Sequence, residues 1–268
     1  MSTPIPAGSL RPTRTEIHTL PIDSADPVEV TVQDRDRTRP YLLLHGGGGV
    51  PTMAGFADLL AERTHSRVLL PTHPGFGGTP KAPGVHDVAG LARMYVGLLE
   101  QLDLSDVTVI GNSFGGWVAA EIALAGSPRV SGVVIVDGTG IEVPGHPMTN
   151  ISGLSLPEIR AFSFHDPSKA PTPPTSGAPG PSPDVQAMLG YTGPVPFDPT
   201  LADRLGDLDL PVHVVWGESD GIVDADYGKA YAAAIPGAAF TLLPRSGHLP
   251  QLETPEELLG ALLDLGTF

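Results

Sequence analysis

The chain contains no cysteine among its 268 residues, which excludes disulfide bonds, a thiolate nucleophile and cysteine-ligated metals. No long apolar run occurs and the mean hydropathy is only +0.07, so we expect no membrane span. The N-terminal segment lacks the apolar core of a secretory signal, which predicts a cytoplasmic protein.

Basic residues are also scarce, with 15 Lys and Arg against 30 Asp and Glu, giving a formal net charge of −15. A polyanionic surface repels nucleic acid and anionic lipid, so we expect neither as a partner. The length and the 41% hydrophobic content suffice for one large domain, with or without an insertion.

Continuous apolar runs indicate strands that are buried on both faces, as in parallel sheets. Two shorter strands, Glu16–Ile22 and Val28–Gln33, precede these runs, and one more strand, Ala238–Pro244, follows them. The buried runs are residues 40–49, Arg67–Pro71, Val107–Ile110, Val130–Asp137 and Pro211–Gly217. Helical patterns occupy Met53–Arg63, Val88–Leu102, Phe114–Ala125, Ala225–Ile235 and Pro255–Leu265. This alternation predicts an α/β protein whose mostly parallel sheet has helices on both faces.

Residues 138–205 interrupt the alternation, because they contain no buried-strand signal. Pro167–Pro183 is rich in Pro, Gly, Ser and Thr and predicts an extended or mobile loop, flanked by amphipathic pieces at Leu156–Phe164 and Asp184–Leu189. We interpret 138–205 as an insertion into a core formed by 1–137 and 206–268. A disordered linker between two domains is the alternative, but too little chain follows Pro211 for an independent domain.

The sequence "GNSFGG" places Ser113 at the corner between a buried strand and a helix. A serine in so tight a turn has an exposed Oγ, and side chains at the flanking Gly111 and Gly115 would clash. The turn also directs the positive end of the helix dipole at the reacting centre. This local context predicts a nucleophilic serine.

A serine hydroxyl needs a general base, and the base needs a carboxylate that orients it. His248 lies on a loop between the last predicted strand and the last helix, and Asp220 follows the strand Pro211–Gly217. The chain order Ser, Asp, His is that of Gly-x-Ser-x-Gly enzymes, and each residue follows a different strand. We therefore expect all three side chains to meet at one edge of the sheet.

Five segments together resemble the α/β-hydrolase superfamily of serine hydrolases and occur in the family's order: "LLLHGGGG", "LPTHPGFGGTP", "GNSFGG", "WGESDGIV" and "SGHLPQLETPEEL". The resemblance implies the α/β-hydrolase fold, with an eight-stranded sheet and 138–205 as a cap over the site. It implies that Ser113 is the nucleophile, His248 the base and Asp220 the acid. In some relatives the acid follows the preceding strand, where this chain has Asp137.

The resemblance also implies an oxyanion hole built from the backbone N–H groups of Phe114 and Gly47, with Gly48 as a possible substitute. The glycines near His45 do not fit a phosphate loop, since neither a Walker sequence nor a dinucleotide fingerprint is present. They suit an oxyanion loop, and His45 is expected to be structural. No metal-binding spacing occurs, so we expect neither a metal nor a cofactor.

The expected activity is hydrolysis of a small-molecule carboxylic ester or related acyl compound by a monomer or homodimer. The same residues could also serve a C–C bond hydrolase, a perhydrolase, a lyase or an acyltransferase. A ligand-binding protein with the same fold is a further alternative, although the complete Ser, Asp and His set disfavours it.

Overall fold

The computed structural model describes residues 14–264 apart from 23–24, 36–39, 152–153, 172–181 and 194. The strands are β1 (Arg14–Ile22), β2 (Ala25–Arg35), β3 (Pro40–Leu44), β4 (Arg67–Pro71), β5 (Val107–Asn112), β6 (Val130–Val136), β7 (Val212–Gly217) and β8 (Ala239–Leu243). They form one sheet in the order β1-β2-β4-β3-β5-β6-β7-β8, in which β2 pairs antiparallel with both of its neighbours and the other pairs are parallel. The predicted eight-stranded, mostly parallel sheet is therefore confirmed.

The helices of the core agree with the predicted segments to within two residues at each end. The α-helices are α1 (Ala54–Thr64), α2 (Val88–Gln101), α3 (Phe114–Leu124), α4 (Leu156–Ser163), α5 (Pro183–Thr192), α6 (Leu201–Leu205), α7 (Ala225–Ala233), α8 (Pro250–Glu253) and α9 (Pro255–Asp264). The sequence did not predict α6 and α8, because each is too short to show a helical period. Nowhere in the described chain is a helix both apolar enough and long enough to span a bilayer.

Both faces of the sheet are covered, which explains the continuous apolar runs. Leu42 and Leu44 of β3 belong to the core under α2 and α3, whereas Leu43 between them belongs to the core under α1 and α9. Successive side chains of a strand point to opposite faces, so a doubly covered strand is apolar at nearly every position.

The segment between β6 and β7 lies beside the loops that follow the strands. The end of α4 contacts two of these loops: Gly221 N donates to Phe162 O over 2.9 Å, and His248 N donates to Ser163 O over 2.8 Å. Helices α4 and α5 correspond to the two predicted amphipathic pieces. The predicted loop Pro167–Pro183 begins with a short 3₁₀ turn, and most of the rest lies outside the described residues.

His213 is a buried polar residue inside the sheet, on β7. Its Nε2 lies 2.9 Å from Thr241 Oγ1, and its Nδ1 has no partner among the residues that the structure describes. Burial lowers the pKa of His213 from 6.5 to about 4, because the charged imidazolium would lose its hydration.

This lowered pKa predicts a loss of stability in acid. Below the ordinary pKa of 6.5 the unfolded chain binds a proton that folded His213 excludes until pH is about 4, so folding weakens as pH falls through that interval. His213→Gln should reduce the loss between pH 7 and pH 5 by about 2 kcal/mol. Urea unfolding of the wild type and of His213→Gln at both pH values measures this reduction. The exposed His86→Gln is the matched control, and equal losses in the two variants would contradict the assignment.

Candidate active site

Ser113 occupies the turn between β5 and α3 with φ 56° and ψ −121°, a conformation that non-glycine residues rarely adopt. Its flanking glycines are sterically required. A Cβ on Gly111 would lie 2.0 Å from Gly115 O, and a Cβ on Gly115 would lie 2.2 Å from Leu44 O. The glycines thus allow the strained turn that exposes the serine hydroxyl.

Ser113, His248 and Asp220 form a continuous hydrogen-bonded series. Ser113 Oγ lies 2.8 Å from His248 Nε2, and His248 Nδ1 lies 2.7 Å from Asp220 Oδ2. With a proton on Nδ1, the imidazole donates to the carboxylate and leaves Nε2 free to accept the serine proton. The three residues predicted from sequence therefore come together in the geometry of an activated hydroxyl.

The Asp220 carboxylate is fixed by its own loop. Asp220 Oδ1 accepts hydrogen bonds from Ile222 N at 2.7 Å and Val223 N at 3.1 Å, which leaves Oδ2 for the imidazole. These two N–H groups therefore hold the carboxylate in place beside His248.

The loop of His248 is held by a buried amide pair that sequence reasoning missed. Asn112 Nδ2 donates to His248 O at 3.0 Å and to Val136 O at 3.2 Å, and Gln251 Nε2 donates to Asn112 Oδ1 at 2.9 Å. The Asn112 amide thereby connects the turn at Ser113 to the loop of His248. The polar residue directly before Ser113 at the end of a buried strand was the available sequence signal.

Glu253 holds the same loop from the other side. Its carboxylate, buried at 4% exposure, accepts hydrogen bonds from Gly247 N, His165 N and Asp166 N at 2.8, 3.0 and 2.6 Å. A carboxylate with this many N–H partners connects the loop of His248 to the segment that follows α4.

The glycine loop after β3 lies directly against Ser113. A Cβ on Gly46 would lie 2.9 Å from Ser113 Cβ, so this loop approaches as closely as backbone can. Within the described part of the chain, the N–H groups of Gly47 and Phe114 have no hydrogen-bond partner, and both remain available to an oxyanion. The space above Gly47 is occupied by Met188 of α5, whose sulfur lies 3.1 Å from the position of a Cβ on Gly47.

Aromatic side chains form the wall beside this loop. The Phe114 ring stacks between Phe76 and Tyr191, with centroid distances of 6.2 Å to each. Tyr191 OH donates to Pro74 O at 2.8 Å, and Asp184 at the start of α5 accepts from Gly77 N at 2.8 Å. Helix α5 is thus docked over the site and gives it an apolar cover.

His45 and His73 are structural, as expected for His45. His73 Nδ1 lies 2.6 Å from Tyr95 OH, its Nε2 lies 2.9 Å from His45 O, and His73 N donates to His45 Nε2 at 3.2 Å. Burial lowers the pKa of His45 to about 4, so at neutral pH this histidine is an uncharged part of the loop framework.

Asp137, the alternative acid, does not bond to His248 but lies beside Asp220. A carboxylate oxygen of Asp137, one of Asp220 and a ring nitrogen of His248 all lie within 4.8 Å of one another. This spacing also suits a metal ion. The hydrogen bond between Asp220 and His248 accounts for two of these three groups without an ion.

Residues 41–261 match the model of the alpha/beta hydrolase family. Since the match spans most of the chain, the chain belongs to this family.

Relatives include proteins named as hydrolases of different kinds. An uncharacterized hydrolase of Bacillus subtilis is 27% identical over 208 residues, 68% of this chain and 74% of that protein. The 2-hydroxy-6-oxononadienedioate/2-hydroxy-6-oxononatrienedioate hydrolase of Cupriavidus pinatubonensis is 28% identical over 242 residues, 79% of this chain and 81% of that protein. A thermophilic esterase from Thermogutta terrifontis has a similar fold, with a TM-score of 0.68, 23% identity and coverage of 94% of this chain and 97% of the esterase.

Proposed function

We propose that this protein is a serine hydrolase that cleaves a carboxylic ester through an acyl-enzyme on Ser113. The observation that carries the proposal is the series from Ser113 Oγ through His248 to Asp220, with hydrogen bonds of 2.8 and 2.7 Å.

In the first half-reaction Ser113 Oγ attacks the ester carbonyl while His248 Nε2 removes its proton. Asp220 holds the imidazole in the required tautomer and stabilises the imidazolium. The N–H groups of Gly47 and Phe114 receive the oxyanion, an interaction worth about 3–4 kcal/mol per donor in measured cases. His248 then protonates the leaving alcohol, whose release leaves the acyl group on Ser113.

In the second half-reaction His248 removes a proton from water, and the resulting attack on the acyl-enzyme releases a carboxylic acid. Each step uses side chains and backbone groups of this chain. The apolar surface formed by Phe114, Tyr191 and Met188 supports an acyl compound with a hydrocarbon portion as the substrate.

A panel of p-nitrophenyl esters with graded acyl length tests this proposal. We expect turnover of at least one ester, following saturation kinetics, with release of p-nitrophenol in proportion to enzyme. No turnover across the panel, by protein whose Ser113 still reacts with a fluorophosphonate, would overturn ester hydrolysis as the activity.

Hydrolysis of a C–C bond is a second candidate, favoured by the relative from Cupriavidus pinatubonensis and others that act on 2-hydroxy-6-oxo compounds. The same serine, base and oxyanion donors could act on a ketone, but a carbon leaving group must also be protonated. A 2-hydroxy-6-oxo-dienoate offered beside the esters distinguishes the two candidates. A higher kcat/KM for the dienoate would favour C–C hydrolysis, and a higher value for the esters would favour the first proposal.

A further inference from the structure

The acid end of the site contains two carboxyl groups. Asp137 directly follows β6, and Asp220 follows β7, which is the neighbouring strand of the sheet. Asp137 is fully buried, Asp220 is 5% exposed, and one oxygen from each lies within 4.8 Å of the other and of a His248 nitrogen. The reaction described above uses only Asp220, so the second carboxyl is unexplained.

The position of Asp137 is rigidly determined. Its φ of 46° is in the left-handed region, which costs free energy for a residue with a side chain. Its N–H donates to Val215 O at 3.0 Å, and its Oδ1 accepts from Gly217 N at 2.8 Å. These bonds connect the end of β6 to β7 and point the carboxyl group toward the loop that contains Asp220.

The second oxygen of Asp137 is the informative one. Among the residues described, none donates a hydrogen bond to the buried Asp137 Oδ2, so nothing there satisfies a charged carboxylate. Asp220, by contrast, receives two backbone N–H groups and the imidazole. The charge of the pair is therefore better stabilised on Asp220.

Electrostatics favour the same distribution. Burial, and next the neighbouring Asp220 carboxylate, raise the pKa of Asp137 well above its ordinary range. Two ionised carboxylates in a site that excludes water repel strongly, and such a pair retains one proton. The group that stays protonated is the one with fewer donors.

We propose that Asp137 is a positioning residue, a neutral carboxylic acid that donates its Oδ2 proton to Asp220, so that the pair presents one negative charge to His248. Asp137 then acts through Asp220: its hydrogen bond fixes the carboxylate that in turn orients the imidazole. Its effect on turnover rests on the proposed function, whereas its protonation does not.

The protonated state has a direct spectroscopic test. The infrared spectrum of the protein at pH 7 should contain the C=O stretching band of a buried carboxylic acid, and Asp137→Asn should remove it. The exposed Asp103→Asn is the matched control and should leave the band in place. A wild-type spectrum without the band, or a band that persists in Asp137→Asn, would overturn the proposal.

Two substitutions test the positioning role. Asp137→Leu removes the donor and should slow fluorophosphonate labelling of Ser113 and lower kcat about 10-fold or more, with KM little changed. Asp137→Asn restores a neutral donor of the same shape and should recover most of that loss. An Asn variant as slow as the Leu variant, or a Leu variant as fast as wild type, would contradict the role.

The readouts separate this inference from the proposed function. If no protein in the series hydrolysed an ester, but the wild type had the infrared band and Asp137→Asn lacked it, the esterase activity would be rejected. The protonated state of Asp137 would still be supported. If Asp137→Leu does not fold, the spectrum and the labelling rate of Asp137→Asn still decide: labelling slowed about 10-fold in the Asn variant would overturn the proposal.

Discussion

Replacing Ser113 by alanine should lower kcat/KM for p-nitrophenyl acetate by about 10⁴-fold or more, the loss typical of removing the nucleophile of a cooperating triad. Without Oγ, no acyl-enzyme can form, and the imidazole 2.8 Å from that atom has no proton to remove. Residual turnover would come only from binding and the oxyanion donors.

The Ser113→Ala experiment requires proof that the variant is folded and a control substitution at another serine. Ser105 is exposed and remote from the loops of the site, so Ser105→Ala should keep wild-type kinetics. Circular dichroism and the urea midpoint of both variants establish folding. Wild-type activity in folded Ser113→Ala would reject Ser113 as the nucleophile.

Substituting alanine for glycine should have opposite effects on the stability of the protein at two helical positions. In α3, a Cβ on Gly115 would meet Leu44 O at 2.2 Å and His45 O at 2.7 Å, and backbone atoms cannot move aside without displacing β3. In α2, nothing lies within 4 Å of a Cβ on Gly97. Gly115→Ala should therefore lower the free energy of unfolding by about 3 kcal/mol or more, whereas Gly97→Ala should raise it by about 0.5–1 kcal/mol.

Urea unfolding of the two variants measures this difference, and the common substitution makes Gly97→Ala the control for helix propensity. Because a domain has only about 5–15 kcal/mol of total stability, Gly115→Ala is expected to unfold at much lower denaturant. A free energy of unfolding for Gly115→Ala within about 1 kcal/mol of wild type would show that the turn at Ser113 has room for a side chain.

Much of the architecture could be predicted because its determinants are local. A strand covered on both faces is apolar at nearly every position, as β3 illustrates, and glycines mark where such strands end. The corner at Ser113 was recognisable because strand, glycines and helix follow one another within a few residues. The convergence of Ser113, Asp220 and His248 followed from chain order, since parallel strands bring their carboxyl ends to one edge.

The remaining features of the site depend on contacts between distant parts of the chain. The bond from Gln251 to Asn112 joins residues 139 positions apart, and Asp137 and Gly217 are 80 positions apart. A sequence pattern of period 2 or 3.6 contains no information about such pairs. For this reason the sequence offered Asp137 and Asp220 as alternatives, whereas the structure places both carboxyls at the acid end of the site.

The covering of the site was unpredictable for a related reason. The segment containing α5 is polar and proline-rich, so its sequence does not show which face docks. Its position depends on single contacts such as Asp184 with Gly77 N and Tyr191 with Pro74 O. The placement of Met188 over Gly47 follows from these contacts and determines what an acyl group meets beside the oxyanion donors.

The central claim is that His248 activates Ser113, and covalent labelling tests it most directly. A fluorophosphonate probe followed by peptide mass spectrometry should place the label on Ser113 in the wild type, with labelling at least about 100-fold slower in folded His248→Gln. Label on another residue, or equal labelling rates in the two proteins, would contradict the account.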